Sequence, residues 1–183
     1  TLQVWLDASE IHQSLVRVGT LYPQDARTDL PPSFAYDTRW LESPRGFALD
    51  PQLPLVAGEQ HPSKTRWFGV FLDAAPDRWG RVLMERREAL AAKDEGRTIQ
   101  RLTDFDFMLG VSDITRTGAL RFRFSAEAPF MAPEELHAVP PVTSLVELAE
   151  GAANLEDPSA EERPAYRQWL SLLLAPGTSL GGA

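Results

Sequence analysis

The chain contains no cysteine, which excludes a disulfide framework, a thiolate zinc site and a cysteine nucleophile. That absence fits a reducing compartment and makes the cytoplasm the expected location. Histidine is scarce. His12, His61 and His137 lie far apart and none stands in an HxxxH or HxH spacing, so structural roles are expected of them and a metal site is not. Long apolar runs are missing too. The longest, WLSLLLA at 169–175, is far short of the roughly 20 residues that span a bilayer, and no membrane partner is expected. The opening TLQVWLD carries neither an initiator Met nor a basic-then-apolar leader. Neither a GK[ST] phosphate-loop ending nor a GxGxxG spacing occurs.

What is present is the mixture of an ordinary folded protein: 183 residues, 43% hydrophobic and 24% charged. The net charge of −8 is unevenly placed. Residues 1–125 hold 17 acidic against 16 basic side chains, whereas residues 126–183 hold 9 acidic and only Arg163 and Arg167. An acidic chain binds nucleic acid poorly, because that affinity comes largely from neutralised phosphates and released counterions. One stretch is locally basic: Arg78, Arg81, Arg86, Arg87, Lys93, Arg97 and Arg101. A solvated helix face is expected there, so any contact with DNA would be indirect.

Periodicity divides the chain. QVWLD (3–7) and LVRVGTLY (15–22) alternate apolar and polar positions and predict a hairpin or meander; SFAYD (33–37) and FALD (47–50) predict two more short strands. No helix is expected before residue 65. From Arg66 the spacing turns helical, with Trp67, Phe68, Phe71 and Leu72 on one side. A second helix is predicted from about Pro76 to Lys93, with Asp77 favourable to its dipole and Gly96 as its stop. Thr103 predicts the cap of a third. GALRFRF (118–124) predicts a strand with Leu120, Phe122 and Phe124 on one face and Arg121 and Arg123 on the other. Beyond Ser125 come a possible short helix at 133–138, an acidic helix at 142–153 and a helix from a Ser159 cap to about Ala175, breaking before Pro176. The expected fold class is α+β. A small amino-terminal antiparallel sheet, barrel-like, with packed helices covers 1–125; an acidic helical connector covers 126–175; residues 176–183 form a terminal loop.

Most polar candidates have plain roles. Asp73 and Asp77 are four apart, but Pro76 lies between them, so capping is expected. Asp104 and Asp106 bracket Phe105 without a third acidic partner, and capping is expected again. Trp67, Phe68, Phe71, Trp79, Phe105 and Phe107 are at core spacing rather than in a ligand groove. The terminal TSLGGA is different. Consecutive glycines let backbone N–H groups converge on an anion, and the hydroxyl of Thr178 or Ser179 adds a donor. A terminus so apolar and glycine-rich is expected to continue into a longer protein.

Five phrases stand in a telling order: FAYDTRWLESP (34–44), FALDPQLPL (47–55), WFGVFLDAAPDRWGRVLMERR (67–87), DFDFMLGVSD (104–113) and TGALRF (117–122). In that order and spacing they resemble the amino-terminal region of HipA-like serine/threonine kinases, the toxins of toxin–antitoxin pairs. TSLGGA resembles the start of that family's glycine-rich phosphate loop. The resemblance implies a kinase that uses Mg-ATP to phosphorylate a protein of the translation apparatus. It also implies an antitoxin DNA-binding protein as partner, and a kinase-like N-lobe entered by the connector. It assigns Ser179 as the site of silencing autophosphorylation, and Ser179, Leu180, Gly181, Gly182 and Ala183 to the nucleotide phosphates. The family's catalytic aspartate, lysine and magnesium ligands lie past this loop, so this stretch holds no catalytic residue of its own. The alternative is a non-catalytic module that binds a kinase core, an antitoxin or DNA.

Overall fold

A computed structural model describes residues 1–23, 31–111, 113, 116, 118–131, 151–154 and 165–174. Its frame is one antiparallel sheet of five strands: β1 (Leu2–Leu6), β2 (Val16–Tyr22), β3 (Ser33–Tyr36), β4 (Glu59–Gln60) and β5 (Leu120–Arg123). They lie in the order β4-β3-β2-β1-β5, so the first four strands form a meander and β5 returns to the free edge of β1. The sheet is open and not the barrel-like closure the sequence suggested.

Alternation sets the faces. Leu2, Val4 and Leu6 of β1 and Leu120 and Phe122 of β5 are buried, with Gln3, Trp5, Arg121 and Arg123 on the opposite face. Strand β2 breaks the rule: Val18 and Gly19 are both buried, because the pairing slips between Val4↔Gly19 and Trp5↔Arg17. One extra residue in β2 resets the alternation, a bulge that simple pattern reading passes over. Phe124 was expected on the buried face, but the strand stops at Arg123 and Phe124 is 55% exposed.

Two expectations before residue 65 fail for one reason. Asp37 accepts from the Arg39 N–H at 3.0 Å and starts α1 (Thr38–Glu42), a helix in a region where none was expected. Helix α1 drives Trp40 fully into the core. The chain then wraps over it instead of forming the FALD strand. The Trp40 indole donates to the Phe47 carbonyl at 3.1 Å, and the Tyr36 hydroxyl accepts from the Leu49 N–H and donates to the Leu53 carbonyl, both at 2.9 Å. Buried polar groups that satisfy one another in this way hold 47–53 as an irregular strap.

The middle of the chain is helical as predicted, with shifted bounds. Helix α2 runs only from Gly69 to Asp73. Asp50 holds its start: one carboxylate oxygen accepts from the Val70 N–H at 3.0 Å, the other from the Gln52 N–H at 2.8 Å. Helix α3 (Arg78–Glu95) begins two residues after Pro76, with Asp77 as its cap, and ends at Gly96 in the left-handed conformation, φ 63°. Helix α4 (Asp104–Leu109) is closed by a reciprocal capping box between Thr103 and Asp106. Helix α5 (Tyr166–Leu174) follows the short helical stretch 151–154. The predicted helix at 133–138, most of the one at 142–153 and the Ser159 cap lie outside the described residues.

The sheet, α1, α2 and α4 share one core, in which Phe34, Trp40, Phe68, Phe71, Met108 and Phe122 are fully buried. Leu83 of α3 meets Tyr166 and Leu170 of α5 in a second, smaller cluster.

Candidate functional site

The residues assigned to phosphate, Ser179, Leu180, Gly181, Gly182 and Ala183, lie outside the described residues. What is described is the element that leads into them. Helix α5 packs on α3, with Tyr166, Trp169 and Leu170 against Trp79, Leu83 and Leu90, and Ala152 at the margin. In the first turn of α5, Arg167 donates to Asp94 in the last turn of α3 at 2.6 Å. That hydrogen bond, with the attraction of the guanidinium, holds the Asp94 carboxyl below its ordinary range. Trp79 thus belongs to this seat, whereas Phe68, Phe71 and Phe107 are buried and Trp67 stacks on Phe105 at 6.4 Å.

Among the other candidates the expected capping role is found at Asp77 and Asp106, whereas Asp104 forms an ion pair instead. Asp77 caps α3, Asp106 closes the α4 box, and Asp104 pairs with Arg81 at 2.5 Å. His12 is buried against Trp40 with ring centroids 5.2 Å apart, and His61 faces Glu59 at 4.0 Å. His137 lies outside the described residues. Among the described residues no three His, Asp or Glu side chains are grouped to hold a metal ion, and no helix is long and apolar enough to cross a membrane.

The basic stretch is internally compensated in part. Arg97 forks onto Glu88, and Glu88 also accepts from the Gln100 N–H at 2.8 Å; Glu95 grips the same guanidinium. Hydrogen bonds from Arg97 and then Gln100 pull the Glu88 carboxyl down to about 2, and the two glutamates push Arg97 upward.

Two arrangements escaped sequence reading. The first is on the outer face of the sheet. The Arg123 guanidinium lies 3.9 Å from the Trp5 ring centroid and 5.0 Å from that of Phe130, and Arg121 lies 4.2 Å from the Phe130 centroid. Asp113 and Asp7 anchor Arg121, and hydrogen bonding to Asp113 raises its affinity for its proton. Alternation placed Trp5, Arg121 and Arg123 on one face, but nothing in the pattern brought Phe130 across them. Backbone bonds do: Met131 donates to the Phe122 carbonyl at 2.8 Å, and its own carbonyl accepts from Asp113 at 2.7 Å.

The second is Arg116, only 7% exposed, which donates to the Ala74 carbonyl at 2.7 Å and the Val111 carbonyl at 2.9 Å and lies 4.7 Å from the Phe122 ring centroid. Burial pushes its pKa down to about 10, opposed by nearby Asp113, and it remains a cation at neutral pH. A lone arginine outside any periodic run carries no sequence signal of burial.

Residues 3–123 match the family model for the HipA N-terminal domain. The chain has no match among curated proteins.

Proposed function

The chain belongs to the HipA N-terminal domain family, and from that membership we propose that it is the amino-terminal part of a HipA-like serine/threonine kinase of a toxin–antitoxin pair. The observation that carries the reading is the family match, which spans the sheet and α1–α4. In this reading residues 1–125 are the family subdomain, 126–175 connect it to a kinase-like N-lobe, and 176–183 begin the phosphate loop. The donor is Mg-ATP, held with catalytic groups encoded beyond Ala183. The substrate is a cytoplasmic protein of the translation apparatus, and a DNA-binding antitoxin is the partner.

The chemistry of the loop supports the assignment. Amides around Gly181 and Gly182, free of Cβ interference, suit the nucleotide's phosphates. Phosphorylation of Ser179 adds about two negative charges at the same place, so the loop serves one anion or the other. Autophosphorylation there silences the enzyme. Full-length protein incubated with labelled Mg-ATP is expected to carry phosphate at Ser179 and to lose it in Ser179→Ala. Phosphate confined to other residues would remove the autoregulatory role, and no incorporation by the full-length protein would remove the kinase.

The outer sheet face favours a second reading, a non-catalytic interaction module. Trp5, Phe130, Arg121 and Arg123 form an only partly buried cation–aromatic surface of the kind enriched at interfaces. A full-length chain that binds no ATP yet loses its partner in Trp5→Ala would favour the module.

A further inference from the structure

The family match stops at residue 123, where β5 also ends, but the contacts of the chain with the sheet continue. Past Arg123 the backbone reverses. The Ser125 hydroxyl accepts from the Ala128 N–H at 3.2 Å, and the Glu127 carboxyl is held below its ordinary range by its own backbone N–H and then by Ser125. The chain then returns alongside β5, where the Met131 N–H donates to the Phe122 carbonyl at 2.8 Å. On its other side Met131 accepts from the Asp113 N–H at 2.7 Å, and the Asp113 carboxylate accepts from the Arg121 Nε–H at 2.8 Å. Arg121 precedes Phe122 in β5, so the four residues close a ring of contacts.

Side chains follow the alternation of an edge strand. Phe130 lies on the outer face, edge-on to Trp5 with centroids 6.3 Å apart at 87°. Arg121 and Arg123 lie 4.2 and 5.0 Å from its centroid, so residues of both β1 and β5 hold one ring. Met131, the next residue, packs against the main core instead. Phe124 offers the contrast: it directly follows β5 and is 55% exposed.

We infer that residues 124–131 are a strap belonging to the amino-terminal unit, with Phe130 as its pin, and that the chain leaves this unit at Met131 and not at the end of β5. The strap couples β5 to the segment that follows α4. Because Met131 is bonded to Phe122 on one side and to Asp113 on the other, its two bonds form and break together. A fixed point of departure against the β5 edge follows, so the connector begins at 132 and not at 126. The inference rests on neither reading of the function.

Residue-resolved amide hydrogen exchange on the full chain tests the strap. The Met131 and Asp113 amides are expected to be protected in the unsubstituted protein, since each donates to a main-chain carbonyl within the ring of contacts. Phe130→Ala should speed exchange of both by roughly tenfold or more, the factor that follows from losing two partly exposed cation–ring contacts, while amides of β2 and β3 stay within about twofold of their original rates. Phe130→Tyr keeps a ring over the arginines and should retain the protection. Phe124→Ala, in the same segment but exposed, should change neither amide. If Phe130→Ala fails to fold, Phe130→Leu, which keeps apolar bulk without the ring, should show the same paired acceleration at smaller size. Rapid exchange of Met131 in the unsubstituted protein, acceleration of only one of the two amides, or an equal effect from Phe124→Ala would overturn the strap. Absence of phosphate at Ser179 would refute the kinase reading and leave these exchange rates as they are.

Discussion

The Arg116 guanidinium donates to the main-chain carbonyl of Ala74, 42 residues earlier in the chain, at 2.7 Å. Ala74 follows the last residue of α2, so a buried cation ties the loop before β5 to the end of a core helix. The same group donates to Val111 and lies against Phe122, so three segments meet on one side chain. Its removal leaves two carbonyls without their donor. Arg116→Met keeps much of the apolar volume and is expected to destabilise the fold by about 3 kcal/mol. Urea unfolding at neutral pH measures it, and a loss under about 1 kcal/mol would mean that water replaces the guanidinium at no great cost.

Asp50 makes the corresponding connection at the other end of α2. Its two oxygens answer the Val70 and Gln52 N–H groups, and the side chain is buried. Asp50→Ala orphans both donors and is expected to cost about 3 kcal/mol; Asp50→Asn keeps one acceptor oxygen and should cost about 1 kcal/mol. The ranking is the test. Equal losses would show that charge at the α2 start, and not hydrogen bonding, is what Asp50 supplies.

Glu88 gives the fold an acid-sensitive clamp. Hydrogen bonds from Arg97 and then the Gln100 N–H hold the ionised form and pull its carboxyl from the ordinary 4.5 down to about 2 in the fold. A depressed folded pKa means that the unfolded chain takes up the proton first as pH falls. The stabilisation is therefore complete above about pH 4.5 and is lost as pH drops toward 2. The Glu88 side chain is 13% exposed, yet Arg97 is open to water on one side, so about 1 kcal/mol is expected at pH 7. The stability difference between the natural protein and Glu88→Gln should shrink steadily from pH 5 to pH 2.5. A difference independent of pH would place the effect in packing.

Legibility in the sequence followed the reach of the interactions involved. Thr103, Asp77 and Gly96 act on groups within four residues, and local pattern located all three. Leu120 and Phe122 declared themselves by alternation. Helix α1 did not, because five residues give too little periodicity and its reason to exist is Trp40, which needs the core and the Phe47 carbonyl to be buried. The FALD segment had strand composition but lost its strand to Tyr36 and Trp40, partners that periodicity cannot see. Trp79, Leu83 and Leu90 of α3 stand at helical spacing, but nothing in that spacing identifies α5 as what covers them. Separate amphipathic helices do not announce which of them will meet. The assignment of TSLGGA to phosphate leaned on family resemblance more than on pattern, because glycines and hydroxyls are common in ordinary turns, and it falls outside the described residues.

Gly19 offers the sharpest steric test of the sheet. It pairs with Val4 on one side and Tyr36 on the other, next to the bulge that buries it together with Val18. A Cβ at this position would overlap the Ala35 carbonyl oxygen and the Phe34 ring. The ring could turn only by displacing Tyr36 or Phe71, with which it is in edge and tilted contact at 5.0 and 5.4 Å. The carbonyl oxygen belongs to β3 and cannot move without opening the β2–β3 pairing. Glycine is therefore needed here for room rather than for a special backbone angle, as its φ is not positive. Gly19→Ala is expected to cost about 3 kcal/mol, a fall in melting temperature of roughly 6–12 °C. Gly58→Ala is the control: it has open space around it, and only its positive φ of 99° is strained. If Gly19→Ala melted no lower than Gly58→Ala, the close approach of Phe34 to β2 would not be what holds this sheet in register.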